Sequence, residues 1–171
     1  MEKFKSEMIL AYKRSKAMLM LFVLMFAFAL YFTDRYTIAF NGANSDCLNS
    51  RAYLIDKWDS TFTNDQLIAF TMNVENGIHK KGTTWVKKVA GIPGQKVFVT
   101  HEDVIVENKR YPLTTSYVLG KLNKDFDSVK NSWELGKNDI FMIGETITSF
   151  DSRFWGPIQK NDVVGKAYAI F

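Results

Sequence analysis

The sequence predicts a mainly β protein, in which a single N-terminal transmembrane helix precedes a small, mostly antiparallel β domain. The first observation is an uncharged apolar run near the N-terminus, from Ala17 to Phe32. The second is a series of short runs rich in β-branched and aromatic residues, separated by turn residues, along the rest of the chain. The third is that no long amphipathic helical pattern follows the apolar run. A chain of 171 residues has room for one such domain.

The apolar run from Ala17 to Phe32 is the candidate membrane anchor. Its sixteen residues are slightly fewer than the ~20 that span a bilayer, and Thr33 together with the long side chains at its flanks extends the run. Tyr31 and Phe32 at its outer end suit the interfacial aromatic belt. We therefore assign residues 17–33 to a transmembrane anchor.

The charges around the anchor predict its orientation. Residues 1–16 contain five Lys or Arg and two Glu, which is a net +3 of the +4 that the whole chain carries. Because positive residues favour the cytoplasmic side, we expect a single-pass protein of the inner (cytoplasmic) membrane, with residues 1–16 as a cytoplasmic basic tail and residues 34–171 as a periplasmic domain. The anchor makes the lipid bilayer an expected partner. The rest of the chain is nearly neutral, so we do not expect it to bind nucleic acid.

Two other interpretations of the apolar run compete with an anchor. The tripeptide Ala27-Phe28-Ala29 has the small-x-small pattern of a cleavage site, so a cleaved secretory signal is the first alternative. The basic segment before the run is long for such a signal. A buried core helix fits less well, because the run is apolar all round and not along one stripe. The anchor is the preferred interpretation.

Short β-type runs, bounded by polar or turn-forming residues, follow the anchor. They are residues 52–55, 66–70, 84–90, 96–99, 104–106, 110–113, 139–143 and 163–171. Glu107-Asn108-Lys109 predicts a tight hairpin tip between two of them. Residues 33–50, 73–82 and 121–137 are polar, and we expect them to form connecting or substrate-facing loops.

Two adjacent lysines stand in an otherwise apolar strand, Trp85 to Ala90, that runs into an Ile-Pro-Gly turn. Side chains alternate faces along a strand, so Lys87 shares a face with Trp85 and Val89 while Lys88 points the opposite way. Whichever face is buried, a lysine is buried with it. Burial favours the neutral amine of a lysine, and a neutral amine beside a nucleophile is a general base. The alternative is that both lysines protect an exposed edge strand.

A second dense motif, GETITSFDSRFWGP, covers residues 144–157. Asp151 and Arg153 within it are suited to an ion pair that supports a loop. Ser149 is suited to a turn or to hydrogen bonding with an amine. The chain also contains one cysteine, Cys47, about fifteen residues beyond the anchor. With no second cysteine to pair with, it is a buried spectator, an intermolecular crosslinking residue or a reactive thiol.

Together, the WVKKVAGIPG and GETITSFDSRFWGPI segments, in that order after a membrane anchor, resemble the type I signal peptidases. The resemblance is closer to the TraF-type pilin-maturation peptidases of plasmid conjugative transfer. It implies a signal-peptidase-like β domain with Lys87 as the general base and Ser149 orienting its amine. It also implies that Asp151 and Arg153 form a structural salt bridge, and that Lys88 is a supporting basic residue.

The nucleophile is where the sequence departs from this family, which has a serine shortly after the anchor. In the TraF-like group this serine commonly lies within S-x-P-x-G-x-Y. Counting back from Tyr53 places Cys47 at the serine position, with Asn49 for the proline and Arg51 for the glycine. Ser45 then matches the position whose hydroxyl joins the oxyanion hole. If the register differs, Ser45 or Ser50 is the nucleophile instead.

The resemblance implies a membrane-anchored, signal-peptidase-type endopeptidase with a Cys47/Lys87 dyad in place of Ser/Lys. A thiol has an ordinary pKa near 8.5 against about 10.4 for a lysine amine, so a thiol yields its proton to an amine more easily than a serine hydroxyl does. The expected partner and substrate is a membrane-bound precursor, either a signal-peptide-bearing protein or a conjugative prepilin. Attack of Cys47 on the scissile carbonyl gives a thioester. Water hydrolyses this thioester, or the precursor's own amino terminus intercepts it and gives a cyclic pilin.

Two rival functions remain open. One is a Cys–His peptidase that uses His79 or His101, since such pairs are spatial and leave no fixed spacing. The other is a catalytically inactive, signal-peptidase-like component of a conjugation or secretion apparatus, because the usual serine and proline are missing and fold resemblance does not establish activity. No metal-ligand cluster or phosphate-binding glycine loop occurs, so we expect neither a metal nor a cofactor.

Overall fold

The computed structural model describes residues 1–40, 47–74, 80–128 and 130–170. The chain divides into two compact units, Met1–Tyr36 and Thr37–Phe171. The first is helical and the second is built mostly from antiparallel strands, which confirms the predicted fold class.

Helix α1, Glu2–Arg35, makes up the first unit. It contains neither Gly nor Pro and is rich in Leu, Met, Ala and Phe, so nothing in its sequence interrupts the helix. Its segment Leu10–Arg35 is long and apolar enough to cross a membrane, since 26 residues rise about 39 Å. No residue of its apolar window is buried in the part of the chain that the structure describes. The predicted anchor, residues 17–33, lies within this helix, which extends beyond it at both ends.

Eleven strands, two short α-helices and two 3₁₀ turns are described after α1. The strands are β1 (Tyr36–Phe40), β2 (Ala52–Asp56), β3 (Leu67–Thr71), β4 (Thr84–Gly91), β5 (Lys96–Val99), β6 (Val104–Val106), β7 (Lys109–Tyr111), β8 (Ser132–Glu134), β9 (Asp139–Ile143), β10 (Ile158–Gln159) and β11 (Val163–Ala169). The helices are α2 (Ser116–Leu122) and α3 (Ser152–Trp155).

The strands form two sheets. The larger has the order β1-β2-β11-β3-β4-β9-β10, and the smaller has the order β7-β6-β5-β8. The pairing of β4 with β3 places Ile68 opposite Lys87 and Leu67 opposite Lys88. On its other side β4 pairs with β9, with Lys88 opposite Ile143 and a bulge before Gly91. The two lysines therefore lie in the centre of the larger sheet and not on an edge strand, which excludes the edge-protection interpretation.

One hydrophobic cluster joins the two sheets. It combines buried residues of β4 and β9 in the larger sheet with buried residues of β5, β6 and β7 in the smaller one. These residues are Ala90, Phe141 and Ile143 on one side and Val97, Val99, Val104, Val106 and Tyr111 on the other. The alternation of buried and exposed side chains along β5 and β6 produces this packing, because one face of the small sheet covers the core while the other faces solvent.

The predicted loops are partly wrong. In the predicted connector, residues 33–50, α1 continues to Arg35 and Tyr36–Phe40 is strand β1, while residues 41–46 lie outside the described part. The predicted loop at residues 121–137 contains the end of α2, a 3₁₀ turn at Phe126–Ser128 and strand β8. Strand β8 forms among polar neighbours because Trp133 pairs with Val97 and packs against Phe141, with ring centroids 5.0 Å apart. In the predicted loop 73–82, residues 75–79 also lie outside the described part.

Candidate active site

Strand β4 places Lys87 inside the protein. Its side chain shares a face with Trp85 and Val89 and is 1 % exposed. The Nζ atom donates a hydrogen bond to Ser149 Oγ over 2.7 Å and lies 5.5 Å from the centroid of the Trp85 ring. A buried amine needs such a partner, because an unpaired polar group in the interior costs free energy. The contact fixes the direction of the Lys87 amine.

Lys88 points to the other face of β4 and has a different environment. It is half-buried and forms an ion pair with Glu145, with Nζ and Oε1 2.5 Å apart. The second carboxylate oxygen of Glu145 accepts the Asn49 backbone N–H at 3.1 Å. Burial raises the pKa of Glu145, but the Lys88 ammonium and the Asn49 N–H outweigh it and hold that pKa below its ordinary value.

Asp151 and Arg153 form a completely buried ion pair below Ser149. Arg153 Nε donates to Asp151 Oδ1 at 2.7 Å and Arg153 Nη2 donates to Oδ2 at 2.9 Å, which is the bidentate geometry of a guanidinium and a carboxylate. Burial raises the pKa of Asp151, but Arg153 outweighs it, with a further contribution from Lys87, so that this pKa is lowered. Both partners are therefore charged, and the positive charge of Arg153 balances the negative charge of Asp151.

The buried ion pair also holds the backbone around it. Asp151 Oδ2 accepts the Gly144 N–H at 2.8 Å. Arg153 donates to the carbonyl oxygens of Leu113, Thr114 and Ser149, at 3.2, 2.8 and 2.8 Å. The Leu113–Thr114 segment, which is distant in sequence, and the nearby Gly144 backbone are thereby fixed to the loop that carries Ser149.

Cys47 meets this network through its backbone. Its carbonyl oxygen accepts the Glu145 N–H at 2.8 Å, and the residue is half-buried. A Cβ built on Gly144 would lie 2.0 Å from Ser149 Oγ and 2.6 Å from the Cys47 carbonyl oxygen. Both atoms thus crowd the same point beside Gly144, and Ser149 in turn contacts the Lys87 amine. The structure brings Lys87, Ser149, Asp151, Arg153 and the Cys47 backbone into one neighbourhood.

The other candidate nucleophiles and bases have different positions. Ser45 and His79 lie outside the described residues. Ser50 is half-buried, and its carbonyl oxygen accepts the Tyr53 hydroxyl at 2.6 Å. The ring of His101 packs against Phe126, with centroids 4.1 Å apart. Within the described ranges no group of three or more His, Cys, Asp or Glu side chains is arranged to hold a metal ion.

Sequence reasoning missed Gly144 and Glu145, which lie at the start of the second motif. A cleft of about 260 Å³ opens beside them. Its lining residues are Asn49, Lys88, Tyr111, Pro112, Leu113, Ile143, Gly144 and Glu145. The Gly-Glu pair immediately after the apolar run 139–143 was visible in the sequence, but its partners are far away along the chain. The cleft lies between Asn49 and the end of β9 at Ile143.

We expect Gly144→Ala to disrupt the site, because its methyl group would occupy the space of Ser149 Oγ and the Cys47 carbonyl. Such overpacking costs about 1–3 kcal/mol, and it separates Ser149 from Lys87. The matched control is Gly120→Ala in α2, where no atom lies within 4 Å of the added Cβ. Thermal unfolding in detergent should show a lower midpoint for Gly144→Ala and no loss for Gly120→Ala. Equal midpoints for the two variants would contradict the close approach.

Comparisons with known proteins point to one family. A family model described as signal peptidase, peptidase S26, matches residues 11–171. A signal peptidase I of Bacillus caldolyticus is 28% identical over 95 residues, which cover 50% of this chain and 52% of the relative. A signal peptidase I of Leptolyngbya laminosa is 26% identical over 88 residues, covering 51% of this chain and 40% of the relative. The chain thus aligns with about half the length of the curated relatives it matches.

A crystal structure of a signal peptidase I from Enterococcus faecalis is similar over 62% of this chain and 96% of that protein, with a TM-score of 0.43 and 18% sequence identity.

Proposed function

Because the chain belongs to the signal peptidase family, we propose that it is a membrane-anchored endopeptidase that cleaves a membrane-bound precursor, with Cys47 as nucleophile and Lys87 as general base. The observation that carries the proposal is the buried Lys87 amine held by Ser149, beside the Gly144 backbone against which the Cys47 carbonyl packs. Helix α1 anchors the enzyme in the inner membrane with residues 1–16 in the cytoplasm and the β domain in the periplasm, where precursors emerge.

The proposed reaction begins when Cys47 Sγ attacks the scissile carbonyl carbon and its proton passes to Lys87 Nζ. The Cys47 backbone N–H, with the Ser45 hydroxyl, donates to the resulting oxyanion. The carbon–nitrogen bond then breaks as Lys87 returns the proton to the leaving amine, which leaves a thioester on Cys47. Ser149 keeps the amine aligned through both proton transfers.

The second half of the reaction regenerates the thiol. In hydrolysis, Lys87 takes a proton from water, the hydroxide adds to the thioester carbonyl, and the thiolate leaves and is reprotonated. In a TraF-type reaction on a conjugative prepilin, the precursor's own amino terminus attacks in place of water and closes a ring. The two products differ by one water, so intact-mass measurement of the product distinguishes them.

Precursor processing in membranes tests the dyad. Cys47→Ala and Lys87→Met should both abolish cleavage of a panel of signal-peptide-bearing precursors and a conjugative prepilin, while Lys96→Met, at an exposed lysine of the small sheet, should cleave normally. Cys47→Ser restores the hydroxyl usual in the family and should retain part of the activity. Normal processing by Cys47→Ala together with loss in Ser45→Ala or Ser50→Ala would move the nucleophile. No cleavage by the unaltered protein of any precursor would favour the inactive structural component.

A further inference from the structure

We propose that Glu145 is a positioning residue, which seats the Cys47–Asn49 segment against strand β4 and so sets the approach of the nucleophile to Lys87. The inference rests on the proposed function, because it assigns a role within the same site. Glu145 lies in the loop after β9, directly after Gly144.

Two hydrogen bonds join Glu145 to the nucleophile segment. The Glu145 N–H donates to the Cys47 carbonyl at 2.8 Å, and the Asn49 N–H donates to Glu145 Oε2 at 3.1 Å. Between these two points Leu48 is 6% exposed and packs in a core cluster with Tyr53. The residue after the candidate nucleophile is therefore held by packing, while the candidate nucleophile and Asn49 are both held by Glu145.

The other oxygen of the same carboxylate ties the segment to β4. Glu145 Oε1 pairs with Lys88 Nζ, whose side chain is 26% exposed against 22% for Glu145. Lys88 is the neighbour of Lys87 and is itself fixed by pairing with Leu67 and Ile143. One carboxylate thus connects the strand that carries the general base to the segment that carries the nucleophile. Hydrogen bonds to a charged group are stronger than neutral ones, which suits such a connection.

The position of the Cys47–Asn49 segment affects catalysis through two groups of Cys47. Cys47 has to present both its thiol to the scissile carbon and its N–H to the oxyanion, so a rotation of this segment misplaces two groups at once. A misplacement of about 1 Å costs on the order of a hundredfold in rate. Glu145 touches neither the substrate carbonyl nor the transferred proton in the proposed reaction, so it acts through Cys47 and Asn49.

The test compares Glu145→Ala and Glu145→Gln in the full-length protein in detergent. The control is Asp103→Ala, which removes an ion pair with Arg110 on the small sheet, Oδ2 to Nη1 3.4 Å. The first measurement is hydrogen exchange at the Asn49 backbone amide, and the second is kcat and KM for a cleavable precursor. Glutamine keeps an oxygen that accepts the Asn49 N–H, whereas alanine does not.

For Glu145→Ala we expect faster exchange at Asn49 and a kcat reduced about tenfold to a hundredfold, as for loss of a charge-assisted hydrogen bond, with KM changed much less. Glu145→Gln should recover most of the slow exchange at Asn49 but only part of kcat, because its single oxygen accepts the Asn49 N–H while its NH2 group does not pair with Lys88. Asp103→Ala should resemble the unaltered protein. Unchanged exchange and kcat in Glu145→Ala, or equal losses in the alanine and glutamine variants, would overturn the role. Normal cleavage by Cys47→Ala would instead overturn the proposed nucleophile, and exchange at Asn49 would still decide whether Glu145 seats the segment.

Discussion

Replacing Lys87 with methionine should lower precursor cleavage by about 10²–10⁴-fold, the contribution expected from a general acid–base group. Methionine has a similar length and fills the same buried space, but it has no nitrogen to take the proton from Cys47 or to return it to the leaving amine. The loss should appear in kcat, because the amine acts in the transition state and not in substrate binding. Cleavage kinetics of Lys87→Met, with Lys96→Met as control, measure the effect.

The same variant should stay folded. Methionine fills the volume of the buried lysine chain, and the loss of the Lys87 contact with the buried Ser149 hydroxyl costs about 1–3 kcal/mol. Loss of activity in a protein that keeps a cooperative unfolding transition would assign Lys87 to chemistry and not to folding. A Lys87→Met protein that cleaves at the unaltered rate would contradict its role as base.

Arg153→Met should produce the largest loss of stability, about 3–5 kcal/mol. The substitution leaves the fully buried Asp151 carboxylate without its guanidinium partner and removes the donors to the Leu113, Thr114 and Ser149 carbonyls. The matched control is Arg110→Met, since the Arg110 side chain is 68% exposed in its ion pair with Asp103. An exposed pair contributes about 0–1 kcal/mol.

Denaturant unfolding of the full-length protein in detergent measures this difference between the two arginine variants. A loss for Arg153→Met no greater than that for Arg110→Met would mean that the buried pair does not hold the site together.

The buried pair also predicts a dependence of stability on pH. The folded state lowers the pKa of Asp151, so its contribution to stability is present above the ordinary aspartate pKa, near 3.9, and is lost as the pH falls through the folded-state value. The unfolding midpoint should therefore fall below about pH 4. Asp151→Asn should be less stable at neutral pH and should lose less on acidification, and parallel acid profiles for the two proteins would contradict this assignment.

Local patterns in the sequence made much of the fold predictable. Alternation in residues 84–90 identified a strand and separated Lys87 from Lys88. The polar stretch Glu107-Asn108-Lys109 marked the hairpin between β6 and β7, although Lys109 is already the first residue of β7. These patterns involve only residues that are close in sequence, so they can be recognised without knowledge of the tertiary structure. The uncharged run within α1 is likewise a local signal, and it predicted the long N-terminal helix.

Features that depend on distant partners were not predictable. Strand β8 has three residues in a polar stretch, and it is stabilised by its pairing with β5 and by the packing of Trp133 on Phe141. The partner of Lys88 is Glu145, and no local pattern relates two residues so far apart in the chain. The need for glycine at position 144 arises from atoms of Ser149 and Cys47, which meet there only in the folded protein.

The rate of alkylation of Cys47 by iodoacetamide at pH 7, in the unaltered protein and in Lys87→Met, tests the central claim most directly. The chain has one cysteine, so the modified thiol is unambiguous. The thiolate is the reactive form, and an ordinary thiol is only a few per cent ionised at this pH. If Lys87 activates Cys47, the unaltered protein should react faster than a model thiol and Lys87→Met should lose that advantage, while Lys96→Met keeps it. Equal rates for the unaltered protein and Lys87→Met would contradict the Cys47/Lys87 dyad.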